Sequence, residues 1–423
     1  MNSYLQSFST YECHKILKKK LNGTKCNVKS YEFSPLPNKM GFLGDHCFLI
    51  VNYEEIDRSN YVHFFCKTMC TTESQRIFAI DTGAFYKECA IYKRLIPIFL
   101  KNGVDLIRDC VPDCYLINDM NYLIFDDLKS KGYQTVTQRE SMTLDCVKLC
   151  LEALAKLHCA SLIFEEKMRL KTGAPYILSE EFPEYFKETF FTEVQMSVNL
   201  IEATKKGVRA QIDLFGSDWR IDLDHFKRLA CDIFDQFREI VKPSKLFRNT
   251  ICHGDLWSAN IMFKFAGDKP VHCKLIDFQS YRYGPPGQDF MGFMYLATDR
   301  EFRREYMGDM ANYFYDKMSE ILREENFNIS EIIPREEFQR SCDYYKLFSI
   351  AQSINHFQLI MSSPEVADGL FSEVGALNRV LFEDKSLIVI PCCQMDEIYR
   401  RRMLETTLDL RDIFIDKGLL KLI

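Results

Sequence analysis

Two hydrophobic rhythms divide this chain near residue 127. Ahead of that point apolar residues gather in short β-branched and aromatic runs at 47–51, 61–67 and 122–128, the length and make-up of buried strands. One segment there differs. Ala84, Glu88, Ile91 and Leu95 fall at i, i+4, i+7 and i+11, one face of a helix over 84–96 that Pro97 is expected to stop. Beyond residue 127 the helical period takes over. Leu144, Val147, Leu151, Leu154, His158 and Leu162 mark one face of a helix over 143–164, and further helices are expected near 181–206, 221–241, 301–325, 335–361 and 391–415. His158 on that face reads as a core histidine with a hydrogen-bond partner. Phe226, Ile233 and Phe237, with Trp219 just before them, read as core packing. The pattern is that of an α+β chain, and 423 residues exceed what one core holds. The expected division is a helical extension over 1–24, a small β-rich N-terminal lobe over 25–127 and a large, mainly helical C-terminal lobe over 128–423.

Polar residues interrupt this pattern at telling places. His253-Gly254-Asp255-Leu256-Trp257-Ser258-Ala259-Asn260 is followed, after a gap of 16 residues, by Asp277, which closes the apolar pair Leu275-Ile276 and precedes Phe278-Gln279. Asp after Gly is by itself ordinary turn chemistry. The joint spacing is more specific: it is that of a kinase catalytic loop and its metal-binding Asp, with His-Gly-Asp for His-Arg-Asp. Phosphoryl transfer asks little covalent chemistry of a protein. It needs a carboxylate to orient and deprotonate the nucleophile, hard oxygen ligands for Mg²⁺, and a cation on the phosphates. Asp255 is the candidate base, and Asn260 and Asp277 are the candidate metal ligands.

The cation is sought upstream. Lys67 ends the strand-like run 61–67, and Glu88 sits within the apolar stripe of the 84–96 helix. A carboxylate in such a stripe is costly unless paired. Either Glu88 pairs with Lys67 and aims it at the α/β-phosphates, or it lies solvated at the stripe's edge. The stretch 39–46 holds Gly41 and Gly44 ahead of Asp45. Its backbone N–H groups could approach phosphate, and a plain hairpin turn explains the glycines as well. After the run 122–125, Asp126 and Asp127 stand where a kinase hinge would meet adenine, or cap the next turn; the capping reading is preferred.

Composition narrows the class. Hydrophobic content of 47% with 27% charge suits a folded soluble protein. A net charge of −6 supplies no basic field for nucleic acid or anionic membrane. Lys18-Lys19-Lys20 is too short for a targeting signal and reads as a solvated helix end. The 17 cysteines include no Cys-x-x-Cys and only 8 histidines accompany them, so zinc ligation is not expected. No run approaches the ~20 apolar residues of a membrane span. Reduced thiols and a cytoplasmic location are expected.

With these landmarks assembled, the chain resembles the insect ecdysteroid-kinase-like family, a branch of the choline-kinase-like and aminoglycoside-phosphotransferase-like small-molecule kinases. The matching residues run in order: Phe65-Cys66-Lys67, Phe85-Tyr86-Lys87-Glu88, Leu123 to Leu128, Leu154 to His158, His253 to Asn260, Ile276 to Gln279, and Gly284-Pro285-Pro286 with Asp289-Phe290. The resemblance implies a bilobal protein-kinase-like fold with ATP between the lobes and Mg²⁺ on Asn260 and Asp277. It implies Asp255 as base, Lys67 with Glu88 as the phosphate anchor, and His253 and Asp289 as supports of the catalytic loop. Gly44 and Asp45 would belong to a degraded form of the family's glycine loop. Gln279 removes the glycine on which protein-kinase loop switching depends. The acceptor implied is an ecdysteroid or a dietary or xenobiotic alcohol or glycoside, with no obligate protein partner. A choline or ethanolamine kinase is the alternative within the class, and a pseudokinase that binds without turnover is the alternative outside it.

Overall fold

The computed structural model describes residues 3–36, 43–55, 58–373 and 375–421. Its first part is a five-stranded antiparallel sheet of β1 (Asn27–Pro35), β2 (Asp45–Glu55), β3 (Arg58–Thr68), β4 (Cys114–Asn118) and β5 (Tyr122–Asp126), in the order β1-β2-β3-β5-β4. Side chains alternate faces along each strand, and β3 shows the consequence. Phe64 and Cys66 point to the outer face, where they join Leu49, Val51 and Ile124 under the Thr10–Lys20 helix. Phe65 and Lys67 therefore point to the opposite face, toward the rest of the molecule.

The Thr10–Lys20 helix opens on a capping box, Ser9 with Glu12, and buries Cys13, Ile16 and Leu17. Its basic end is not simply solvated, as the sequence suggested. Lys19 Nζ donates to Tyr115 O at 2.6 Å, and Lys20 pairs with the buried Asp126. A long amphipathic stem lets each lysine keep its charge while reaching a fixed acceptor.

The stripe of Ala84, Glu88, Ile91 and Leu95 is wholly buried, but Pro97 does not end the helix. An α-helix over Ala84–Ala90 passes through a π-helical stretch, Ile91–Leu95, into a further α-helix, Ile96–Lys101, with Pro97 in its first turn. Proline is tolerated at a helix start because the N–H it lacks has no partner there. The π-helical stretch resets the register so that Pro97 meets that condition.

The large lobe is mainly helical. Its long elements are Leu144–Thr172, Gln195–Phe215, Leu223–Asp235, Pro286–Ala297, Arg300–Glu324, Arg335–Ile360 and Glu397–Asp416. The helix expected from 181 starts late, at Gln195. In the preceding segment side chains take up the backbone donors: Glu188 accepts from Phe190 N and Phe191 N, and Thr192 from Val194 N. Such local bonds compete with a helix ladder. The 391–415 helix is also two, since Asp396 accepts from Tyr399 N at 3.0 Å and begins Glu397–Asp416 afresh. Two small sheets interrupt the helices: β6 (Tyr133–Gln134) with the β8 (Ile261–Ala266) and β9 (Lys269–Leu275) hairpin, and β7 (Thr250–Cys252) with β10 (Arg282–Gly284). A small antiparallel sheet over a helical lobe is the bilobal, protein-kinase-like α+β architecture.

Candidate active site

Between β7 and β8 the chain turns through Gly254 at φ +79°, where a Cβ would lie 2.2 Å from Ser280 O. Only glycine fits such a left-handed, crowded position. Asp289, in the first turn of Pro286–Ala297, pins the turn from below. Its carboxylate accepts from His253 N at 2.6 Å and Gly254 N at 3.0 Å. His158 reaches the same carboxylate at 3.0 Å from the Leu144–Thr172 helix, so the core histidine foreseen in that helix has the loop's anchor as its partner. Burial works against the Asp289 charge, yet the His158 hydrogen bond holds the carboxyl below its usual range. His253 extends the brace: its Nε2 lies 2.9 Å from Ile276 O and its ring packs on Phe278 at 4.7 Å.

This scaffolding gathers the polar residues singled out above. Asn260 Nδ2 donates to Asp255 O at 2.8 Å and to Asp255 Oδ2 at 3.1 Å, while Ile276 N donates to Asn260 O at 2.9 Å. Asp277 follows at φ +66°. Lys67 Nζ lies 2.9 Å from Asp277 Oδ1 and 2.6 Å from Glu88 Oε2. Glu88, at 1% exposure, is not solvated at the edge of its stripe. Burial disfavours the Lys67 ammonium, but Asp277 and Glu88 outweigh it and raise its pKa.

The glycine-loop residues stand apart. Gly41 lies outside the described residues. Gly44 backs onto Lys67, whose Cε would be 3.0 Å from an added Cβ. Asp45 turns its carboxylate to Thr71, accepting from Thr71 N at 2.8 Å and from its hydroxyl. Gln279, in place of the usual glycine, donates from Nε2 to Leu43 O at 2.7 Å and links the two lobes. Asp127 caps the next turn, accepting from Lys129 N at 3.0 Å and Ser130 N at 3.3 Å.

Lys67, Glu88, Asp255, Asn260 and Asp277 open on one cleft of about 350 Å³ between the sheet and the helical lobe. Gly44 and Asp45 are not among its walls. Toward the strand β5 side it is lined by Phe65, Phe125 and Met262; elsewhere by Phe190, Phe191, Leu200, Leu359 and Leu381.

The sequence profile of the ecdysteroid kinase-like family matches residues 48–327, well over half of the chain. The chain belongs to the ecdysteroid kinase-like family. Membership makes it a kinase-type phosphotransferase. No curated protein matches it by sequence. Among solved structures it is similar to a mutant aminoglycoside 2'-phosphotransferase-IIIa in complex with GDP, with TM-score 0.39 and 10% identity over 97% of this chain and 100% of that one. It is also similar to choline kinase LicA from Streptococcus pneumoniae, with TM-score 0.32 and 13% identity over 78% and 98% of the two chains. A microcompartment-associated aminopropanol kinase gives TM-score 0.35 and 11% identity over 96% and 99%. At such identities and scores the likeness carries no substrate over to this chain. Among the described residues no helix is long and apolar enough to cross a membrane.

One residue of this ecdysteroid kinase-like site was not foreseen from its sequence. His356, on Arg335–Ile360, places Nε2 at 2.8 Å from Asp255 Oδ1 and Nδ1 at 2.9 Å from Gln352 O. Both ring nitrogens face oxygen atoms. Burial works against the Asp255 charge, but the His356 hydrogen bond keeps its pKa below the usual value. No motif spacing marks His356. The only local signal is the polar pair Asn355-His356 between Ile354 and Phe357.

Proposed function

We propose that this ecdysteroid kinase-like protein transfers the γ-phosphoryl group of ATP to the hydroxyl of a small, largely apolar alcohol. The observation that carries the reading is that Asp255, Asn260, Asp277 and the Lys67–Glu88 pair open on a single cleft between the lobes. In this reading Asp255 accepts the hydroxyl proton as the oxygen–phosphorus bond forms, and ADP leaves with the electrons of the broken phosphoanhydride bond. Lys67 offsets charge on the phosphates that are not transferred, and Glu88 keeps it aimed.

The donor set suits Mg²⁺. Asn260 spends its N–H groups on Asp255, which leaves its amide oxygen unused, and Asp277 has a second carboxylate oxygen beyond the one on Lys67. Both are hard oxygen ligands of the kind Mg²⁺ takes alongside phosphates. Held by Asn260 and Asp277, the ion would offset the negative charge that develops during transfer.

The walls of Phe190, Phe191, Leu200, Leu359 and Leu381 favour an apolar acceptor skeleton, in keeping with an ecdysteroid or a dietary or xenobiotic alcohol or glycoside. The test is Asp255→Asn, assayed for ADP release against a panel containing an ecdysteroid, a phenolic glucoside and choline. Turnover should fall by ~10² or more while Mg-ATP binding stays near the wild-type value. Parallel loss of nucleotide binding and turnover would remove Asp255 from the role of base. Absence of alcohol-dependent ADP release from wild type across the panel would favour a binding module.

A further inference from the structure

Lys385 is a buried cation that lines the cleft with no counter-charge among the described residues. It precedes the Ser386–Met395 helix, is 2% exposed, and lines the cleft. Its Nζ donates to Asn355 O at 3.0 Å and Asn355 Oδ1 at 2.7 Å. Both acceptors are neutral, and the second already receives the Thr204 hydroxyl at 2.7 Å. Among the described residues no carboxylate pairs with it, and its third N–H has no partner. Two other buried lysines have carboxylates, Lys67 with Glu88 and Asp277 and Lys205 with Glu202 and Asp235; the buried Lys87 donates to Lys187 O at 2.6 Å over the Tyr281 ring and does not line the cleft. Taking an ammonium out of water without an anion is expensive.

The position of this amine is informative. Asn355, which holds Lys385, is adjacent in the chain to His356, which holds Asp255. The cation and the proposed base are thus held by adjacent residues of one helix, and both line the cleft with apolar Leu200, Leu359 and Leu381.

We propose that Lys385 and Asn355 form an anion-binding subsite, and that the acceptor is an acidic apolar alcohol whose carboxylate or sulfate sits on Lys385 while its hydroxyl meets Asp255. Placing the hydroxyl at Asp255 rests on the phosphotransfer reading; the anion subsite does not. A bound anion would supply the missing charge in a place where water is largely excluded, the setting in which charge-assisted hydrogen bonds are strongest. Burial alone pushes the amine down to about 7, and an anion beside it restores the charged form.

The experiment compares matched probes on two apolar skeletons: a monohydroxy bile acid with its methyl ester, and ω-hydroxydodecanoic acid with its methyl ester. Binding is measured by calorimetry in the presence of Mg²⁺ and a non-hydrolysable ATP analogue, for wild type, Lys385→Met and Lys385→Gln. Wild type should bind at least one acid about tenfold more tightly than its ester, as expected of a charge-assisted pair. In both variants the acid-to-ester ratio should fall to near one. Equal binding of acid and ester by wild type would overturn the subsite, as would a preference surviving both substitutions or no binding of any probe. Binding is read without turnover, so the two readings separate. Lys385-dependent acid binding without phosphoryl transfer would sink the kinase assignment alone; transfer to neutral alcohols with no acid preference would sink the subsite alone.

Discussion

Asp255 is held from two sides, by Asn260 at one carboxylate oxygen and by His356 at the other. His356 is a positioning residue in this arrangement. His356→Ala should lower kcat about tenfold, the usual cost of losing a partner that orients a reacting group, with Mg-ATP binding unchanged and partial recovery in His356→Gln. An unchanged kcat would mean that Asn260 alone orients the carboxylate. Lys385 gives a second expectation at this level. Its folded pKa is depressed to about 7, whereas a lysine in the unfolded chain titrates near 10.4. Between those values the unfolded chain binds a proton that the folded protein does not, so this group's contribution to stability rises with pH, by up to about 1.4 kcal/mol per unit. Lys385→Met lacks that term. Its melting temperature relative to wild type should therefore be highest near pH 7 and decline toward pH 10; a constant difference would show that the buried amine does not titrate in that window.

The helices Pro286–Ala297 and Arg335–Ile360 form the element pair on which the site is mounted. One brings Asp289 to the catalytic loop, and the other brings Gln352, whose Nε2 donates to Gly254 O at 3.1 Å, together with His356. Their close approach depends on Gly287, where a Cβ would fall 2.1 Å from Ser341 Oγ and 2.8 Å from Cys342 N. Backbone cannot give way as a flexible side chain can. Gly287→Ala should cost about 1–3 kcal/mol, a fall in melting temperature of several degrees, and reduce turnover by displacing Asp289 and His356 together. A fully stable, fully active variant would show that the pair tolerates a wider spacing.

At the level of the whole molecule the cleft is closed by charge between lobes: Lys67 from the sheet meets Asp277 from the helical lobe, and Gln279 reaches back to Leu43. A ligand bridging both halves should stabilise the molecule as one unit. On the proposed reading, Mg-ATP at about 100 times its Kd should add about 2.7 kcal/mol, seen as a raised melting temperature that EDTA reduces. Asp277→Ala should abolish the Mg²⁺-dependent part and leave a smaller response to ATP alone. A shift in wild type that ignores Mg²⁺ would count against a metal at Asn260 and Asp277.

What could be read without coordinates was whatever local chemistry repeats at short range. Alternation along 61–67 sets Lys67 on the face opposite Phe64 and Cys66, and the helical stripe at 84–95 fixes which way Glu88 points, because side-chain direction follows strand and helix period. The order of His253, Asp255, Asn260 and Asp277 could be read for the same reason: their roles are tied to spacing in one loop and hairpin. Tertiary structure alone decided the rest. Pro97 continues a helix because a π-helical stretch upstream moves it to a helix start, and Asp45 turns from the cleft because Thr71 offers it two donors. His356 reaches Asp255, and Lys385 reaches Asn355, across long sequence separations that carry no period. Such contacts arise only when separate helices pack, and the energy of that packing is spread over many apolar residues that say nothing of which polar ones will meet.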